Sequence, residues 1–221
     1  MHINDFLPEP LDDSPWPLFS DWFHTARANN VQPNPDAMVV ATVSAAGHPA
    51  ARVVLCRHFV PDPGYLVFFT NYRSRKGREI EYQPRAAGVM HWDMLHRQVR
   101  VEGPVIQSPA AESDAYFAQR PLINRLSAWA SEQSEPLASR QALIDAVAAV
   151  AKRFGIEPTA TAGVVPRPPH WGGYRLWPDR IELWVEGPNR THDRALWTRK
   201  LERTDEFAFK GSAWTATRLN P

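Results

Sequence analysis

The sequence predicts a mainly β protein with helices, built as a small antiparallel barrel into which helical segments are inserted. Five strand-like runs follow one another within about 70 residues, joined by short turns and one short polar helix, which is the rhythm of a compact barrel. A helical section then runs from Ser108 to Gly155, and the chain closes on further β-rich runs. No internal repeat, low-complexity tract or linker divides the 221 residues, so one domain is expected over 15–221, preceded by a flexible acidic, proline-broken arm over 1–14.

Each element has its own signal. A helix is expected from Pro15, because Leu18, Phe19, Trp22, Phe23 and Ala26 recur at helical spacing behind Ser14 as cap. "AMVVATVS" and "AARVVLCRHFV" are the first two strands, separated by the hairpin signal "AAGHP". "PDPG" turns the chain into "YLVFFTN", "SRKGREIEYQ" is the short helix, and "AAGVMHWD" and "RQVRVEGPVIQ" follow as strands. "SPAAESDAYFAQR" opens a helix with Ser108 and Pro109 in cap-and-first-turn order. "ASRQALIDAVAAVAKRFG" is a second, with Leu143, Val147, Val150, Ala151 and Phe154 on one face and Gly155 as its stop. After the proline-rich loop "IEPTATAGVVPRPPHWGG", the segments "YRLWPDRIELWVEG", "DRALWTRKLER" and "AWTATRLNP" are closing strands.

Composition excludes several function classes. A hydrophobic content of 43%, a charged content of 22% and a formal net charge of +1 describe a globular chain, with no bulk attraction to nucleic acid or membrane. The N-terminus lacks a basic region followed by an apolar one, and no apolar run is long enough to span a bilayer, so a cytoplasmic location is expected. The single cysteine, Cys56, excludes an intrachain disulfide and lies in an apolar run, as a buried, inert thiol would. G-x-G-x-x-G, the P-loop, G-x-S-x-G, H-E-x-x-H and paired Cys/His ligands are all missing, so no metal is expected.

Several clusters suited to anions remain. "NYRSRKGRE" places Arg73, Ser74, Arg75, Lys76 and Arg78 where a strand ends and a helix begins; a helix N-terminus flanked by cations attracts phosphate, although a solvated basic turn would look the same. Arg52 lies on a strand upstream. Tyr116 and Arg120, four apart on a helix, form a second candidate phosphate grip, or a surface tyrosine beside a snorkelling arginine. Gln98, Gln133 and Ser134 offer neutral groups for a polar heterocycle. In "EGPNRTHDR", an extended backbone would turn Arg190, His192 and Arg194 to one face and Thr191 and Asp193 to the other. Together they suggest two phosphorylated ligands in one site, a cofactor and a substrate.

Taken together these residues resemble the pyridoxamine 5′-phosphate oxidase family of FMN-dependent split-barrel oxidases. The likeness runs from about Leu18 to Pro221 and rests on "NPDAMVVATVSAAGHPAARVVL", "VFFTNYRSRKGREIE", "RQVRVEG", "YFAQRP", "AWASEQS", "HWGGYR" and "NRTHDR…RLNP" in the family's order. The resemblance implies an FMN-binding split barrel. It implies FMN contacts from Arg52, Val53, Val54, Leu55, Phe69, Thr70, Arg75, Lys76, Gln98, Gln133, Ser134, Trp184 and Arg194. Substrate contacts would come from Arg57, Tyr116, Arg120, Asn124, Arg190 and His192, with Arg190 and His192 orienting the reacting ring and available for acid–base work.

The implied reaction oxidises pyridoxamine or pyridoxine 5′-phosphate to pyridoxal 5′-phosphate, with dioxygen as acceptor and hydrogen peroxide as product. The implied assembly is a homodimer with FMN at the interface, and the opposed strand faces of Arg52 and Arg57 would then be served by two subunits. The chain departs from the family's commoner residues at Arg57 (Lys), Asn124 (Ser), Leu183, Val185 and Thr191, and lacks an arginine-rich N-terminal arm. These departures bear on the substrate and keep two other expectations in view: a relative that oxidises a larger heterocycle, as in phenazine biosynthesis, and a non-catalytic flavin or pyridoxal-phosphate-binding module.

Overall fold

The fold was analysed in a computed structural model that describes residues 6–157 and 159–221. Among these, five α-helices and twelve strands alternate along the chain. The first helix, α1 (Trp16–Ala28), buries Phe19, Trp22, Phe23 and Ala26 of the expected stripe, with Trp16 in addition, while Leu18 is only half-buried. Pro15 takes the cap position, and the Ser14 hydroxyl only accepts a long bond from the Trp16 N–H at 3.4 Å. Five strands follow: β1 (Ala37–Val43), β2 (Pro49–Leu55), β3 (His58–Val60), β4 (Tyr65–Asn71) and, after helix α2 (Arg75–Tyr82), β5 (Arg85–Trp92).

The run "AARVVLCRHFV", expected as one strand, is broken at Cys56–Arg57. Its first half, β2, pairs antiparallel with β1, while its second half, β3, pairs with β4. Cys56 is sealed into the core at the break, 1% exposed, and burial pushes its thiol up to about 12, as inert as expected.

Strand β6 (Arg97–Gln107) makes the sheet curl. β5 lies along one side of it, with Arg85 opposite Pro104 and Trp92 opposite Arg97. Its other side is shared: Arg97–Glu102 pair with β8 (Arg180–Val185), and Val105–Gln107 pair with β7 (Trp171–Leu176). The antiparallel strands thereby split and wrap into a barrel around one core. Gly103 stands at the fork, where an added Cβ would fall 1.9 Å from the Trp177 carbonyl oxygen. Outward from β8 come β9 (Asp193–Thr198) and β12 (Thr215–Leu219), completing the ten-stranded sheet; β10 (Leu201–Arg203) and β11 (Phe209–Gly211) form a separate hairpin. Trp22, Trp92, Trp177 and Trp197 fill the interior with Phe19, Phe23 and Phe68. Phe59 of β3 stacks on Phe23 at 4.8 Å and so ties α1 to the barrel.

Helices α3 (Ala110–Ala118), α4 (Leu122–Ala130) and α5 (Arg140–Arg153) form a side lobe. Helix α4 is not among the expected elements, although Leu122, Leu126 and Trp129 recur at helical spacing and form its packed face. Val147, Val150, Ala151 and Phe154 of the α5 region pack on Leu122, Leu126 and Val165, while Leu143 lies outside that cluster. Gly155 follows the last turn at φ +64°, a conformation cheap only for glycine.

Of the segment expected as a flexible arm over 1–14, residues 1–5 lie outside the described part. The remainder is tethered to the C-terminal strands. Leu7 is 4% exposed and its N–H donates to Asp193, Arg218 donates to the Pro8 carbonyl, and Trp197 Nε1 donates to the Asp12 carbonyl. No helix among the described residues is long and apolar enough to cross a membrane.

Candidate active site

A cleft of about 900 Å³ opens between β2, β4, the start of α2, and the side lobe. It gathers Arg52, Val53, Val54, Leu55, Phe69, Thr70, Arg75, Lys76, Gln133 and Ser134, all expected at the cofactor. It also gathers Arg57, Tyr116, Arg120 and Asn124, all expected at the substrate. Arg52 and Arg57 therefore share one cleft of one chain. Their expected opposition assumed an unbroken strand, and the break at Cys56–Arg57 resets the alternation, so that pair of residues does not call for a second subunit.

Two cationic groups stand in the cleft. In the first, Ser74 caps α2 by accepting from the Gly77 N–H, which turns the helix N-terminus and the next side chains inward. Lys76 Nζ, 7% exposed as a residue, donates to Thr70 Oγ1 at 3.0 Å, Ser74 Oγ at 3.0 Å and Gln133 Oε1 at 2.9 Å. Burial, reinforced by the Arg52 charge and opposed by Glu79, lowers the Lys76 amine to about 8. Arg52 and Arg75 meet at the buried Glu79, which accepts from Arg52 Nη2 at 3.1 Å and Arg75 Nε at 2.8 Å. Burial raises the Glu79 carboxyl, but bonds from Thr42, Arg75 and Arg52 outweigh it and hold the group below its ordinary value.

The second group is built on rings. Phe69 and Tyr116 stack at 3.9 Å and 8°, and Trp171 lies parallel to Phe69 at 5.6 Å. The Arg120 guanidinium sits 4.6 Å over Trp171. Burial, with Arg57 adding to it and Tyr116 opposing, lowers the Arg120 pKa, and its Nη1 is buried without a hydrogen-bond partner. A buried guanidinium N–H with no acceptor is costly, and an anion entering the cleft would satisfy it. Arg57 Nη1 is 2.9 Å from Asp36 Oδ2. Sequence reasoning missed Trp171, although "HWGGYR" drew attention for its order, and missed Glu79 and Asp36, which act behind the arginines.

Gln98, Trp184, Arg190, His192 and Arg194 do not line this cleft. Gln98 of β6 faces Trp184 of β8, which faces Arg194 of β9, so the three share one sheet face. His192 joins them, its ring 4.8 Å from that of Trp184. His192 Nδ1 accepts from the Gly187 N–H at 3.2 Å, so the neutral ring carries its proton on Nε2 and presents a donor. The extended backbone expected through 190–194 begins only at Asp193. Pro188–Arg190 is a 3-10 turn, with Asn189 at φ +53° and Arg190 at φ +66°, so a turn and not strand alternation sets the direction of Arg190.

Comparison with known proteins gives one family. The description "Pyridoxamine 5′-phosphate oxidase" matches residues 24–154, and "Pyridoxine 5′-phosphate oxidase C-terminal dimerisation region" matches 171–221. A pyridoxine/pyridoxamine 5′-phosphate oxidase of Burkholderia cenocepacia is 48% identical over 207 residues, covering 94% of this chain and 89% of that one. Its counterpart in Paraburkholderia phytofirmans is 45% identical over 211 residues, covering 96% and 91%. A crystal structure of PhzG from Burkholderia lata in complex with tetrahydrophenazine-1-carboxylic acid superposes with a TM-score of 0.80 at 28% identity, covering 95% of this chain and 94% of that one. An FMN-binding, pyridoxamine 5′-phosphate oxidase-related protein of Nostoc punctiforme shares the fold, with a TM-score of 0.67 at 21% identity over 94% and 98% of the two chains.

Proposed function

The chain belongs to the pyridoxamine 5′-phosphate oxidase family, and from that premise we propose that it binds FMN in the cleft and oxidises pyridoxamine or pyridoxine 5′-phosphate to pyridoxal 5′-phosphate. The observation that carries this is the pairing, in one cleft, of two separate cationic groups, each suited to a phosphate. Lys76, Arg52 and Arg75 take the FMN phosphate, bordered by Val53, Val54, Leu55, Phe69, Thr70, Gln133 and Ser134. Arg120, with its orphaned N–H, takes the substrate phosphate together with Tyr116, Arg57 and Asn124. Bound flavin supplies the two-electron acceptor, reoxidised by dioxygen with release of hydrogen peroxide.

The protein supplies position and charge. The two arginine groups set how far apart the ligands' phosphates lie, and so bring their rings together. Arg190 and the Nε2–H of His192 orient the reacting ring. These two, with Gln98, Trp184 and Arg194, lie outside the cleft, and all of them but Gln98 fall within the stretch matched as a dimerisation region. A homodimer in which the C-terminal face of one protomer closes the cleft of the other completes the site.

The test is direct. The purified protein is titrated with FMN, then mixed with pyridoxine 5′-phosphate under air while pyridoxal 5′-phosphate and peroxide are followed. A flavin-loaded protein that turns over neither pyridoxine nor pyridoxamine 5′-phosphate would sink the substrate assignment. The likeness to PhzG, together with Arg57 and Asn124 at the substrate end, supports a second reading: oxidation of a larger reduced heterocycle. Turnover of a tetrahydrophenazine carboxylate in place of the pyridoxine substrates would decide for it.

A further inference from the structure

Beside Arg194, on the same face of β6, β8 and β9, lies an alternating chain of charges. Arg180 Nε is 3.4 Å from Glu102, Arg100 bridges Glu102 at 3.1 Å and Glu182 at 3.0 Å, and Arg194 Nε donates to Glu182 Oε1 at 2.9 Å. Glu182 is 7% exposed, and each of its oxygens serves a different arginine. Arg194 Nη2 lies 2.8 Å from the same Glu182 oxygen as Nε, and Nη1 donates to the main-chain carbonyl of Asn220 at 3.0 Å. The guanidinium is thus clamped along one edge and at its tip, which spares further N–H groups on Nη1 and Nη2.

Burying a carboxylate in this way is costly unless its partners are fixed, and a hydrophobic pair would serve stability as well. Three arginines against two glutamates leave one positive charge in surplus. The chain ends at Arg180 on one side and at Arg194 on the other. Arg180 is 48% exposed and solvated, whereas Arg194 is 26% exposed and stands next to Trp184 and His192 on the face described above. The Arg194 end of the chain therefore lies where an electron-rich ligand would meet it.

We propose that Glu182, with the Asn220 carbonyl, is a positioning group for Arg194: it fixes the guanidinium so that its spare N–H groups face the flavin. This rests on the reading that Arg194 contacts the flavin. Strand β12, paired with β9, is what brings Asn220 to Arg194.

A double-mutant cycle tests it, with FMN dissociation constants read from flavin fluorescence and thermal midpoints read in parallel on full-length protein. Arg194→Ala is expected to weaken FMN binding about tenfold or more, and Glu182→Gln about three- to tenfold. The double variant should match Arg194→Ala to within about twofold in FMN affinity, because a residue acting through Arg194 has nothing left to act on. A purely structural Glu182 would lower the midpoint and give affinity losses that multiply, which overturns the proposal while leaving the flavin contact standing. An FMN affinity unchanged in Arg194→Ala would instead remove the contact on which the proposal rests. If Glu182→Gln does not fold, Glu182→Asp, which keeps the charge and withdraws the oxygens by one methylene, runs the same cycle with the same two outcomes.

Discussion

Lys76 and Arg57 show how a single side chain's surroundings set its use. The Lys76 amine is buried beside Arg52, with only Glu79 to offset it, and its pKa falls to about 8. A phosphate dianion selects the protonated amine, so FMN affinity should hold below that pH and decline as pH rises through about 8. Titrations from neutral to mildly alkaline pH should show the decline for FMN and not for riboflavin, and Lys76→Arg should abolish it. Arg57 is exposed and already paired with Asp36 at 2.9 Å, so it is a moderate contributor. Arg57→Ala should cost about 1.5–3 kcal/mol in kcat/KM for the phosphorylated substrate. Most of that loss should vanish with dephosphorylated pyridoxine. Arg57→Lys should stay within about tenfold of the parent, roughly 1.4 kcal/mol, since it keeps the charge and loses only the fork. Equal losses with and without the phosphate would remove Arg57 from the phosphate site.

At the scale of elements, three junctions position the site: the break between β2 and β3, the fork along β6 and the 3-10 turn before β9. The fork gives the sharpest test. An added methyl at Gly103 would meet the Trp177 carbonyl at 1.9 Å, backbone against backbone, so neither side can yield by rotating a side chain. Gly103→Ala should lose on the order of 1–3 kcal/mol or more, read from urea unfolding. Phe23→Ala should lose about 3–5 kcal/mol, because it removes a fully buried ring that ties α1 to Phe59 of β3. A loss below 1 kcal/mol for Phe23→Ala, on the order of a surface substitution, would mean that α1 is not integral to the barrel.

At the scale of the whole molecule, the predicted site residues divide into a cleft and a separate face. One protomer holds both cationic groups in its cleft, while Trp184, Arg190, His192 and Arg194 stand apart within the stretch matched as a dimerisation region. A site completed by a partner links flavin binding to assembly by mass action. Dilution should therefore release flavin as the dimer dissociates, and added FMN should shift sedimentation towards the dimer. A flavin-saturated monomer in sedimentation analysis would contradict the shared site.

Periodicity and motif order made much of this legible in the linear chain. The apolar stripe of α1 and the alternating strands are local, and their physics acts between near neighbours. Fourteen of the residues implied by the family resemblance line one cleft, from Arg52 to Ser134. What could not be read depends on contacts between distant segments. Helix α4 finds the partners for its apolar face only in α5 and Val165. The strand break at Cys56 arises because β2 and β3 find different partners, β1 and β4, and this alone brings Arg52 and Arg57 to one wall. Asp36, Glu79 and Trp171 stand inside the quoted motifs and Glu182 outside them, yet the linear chain marks none of the four as part of a site. Apart from the i, i+4 pair of Arg75 and Glu79, their charge or ring matters only once folding sets it against an arginine of another element, and no spacing along the chain encodes that pairing.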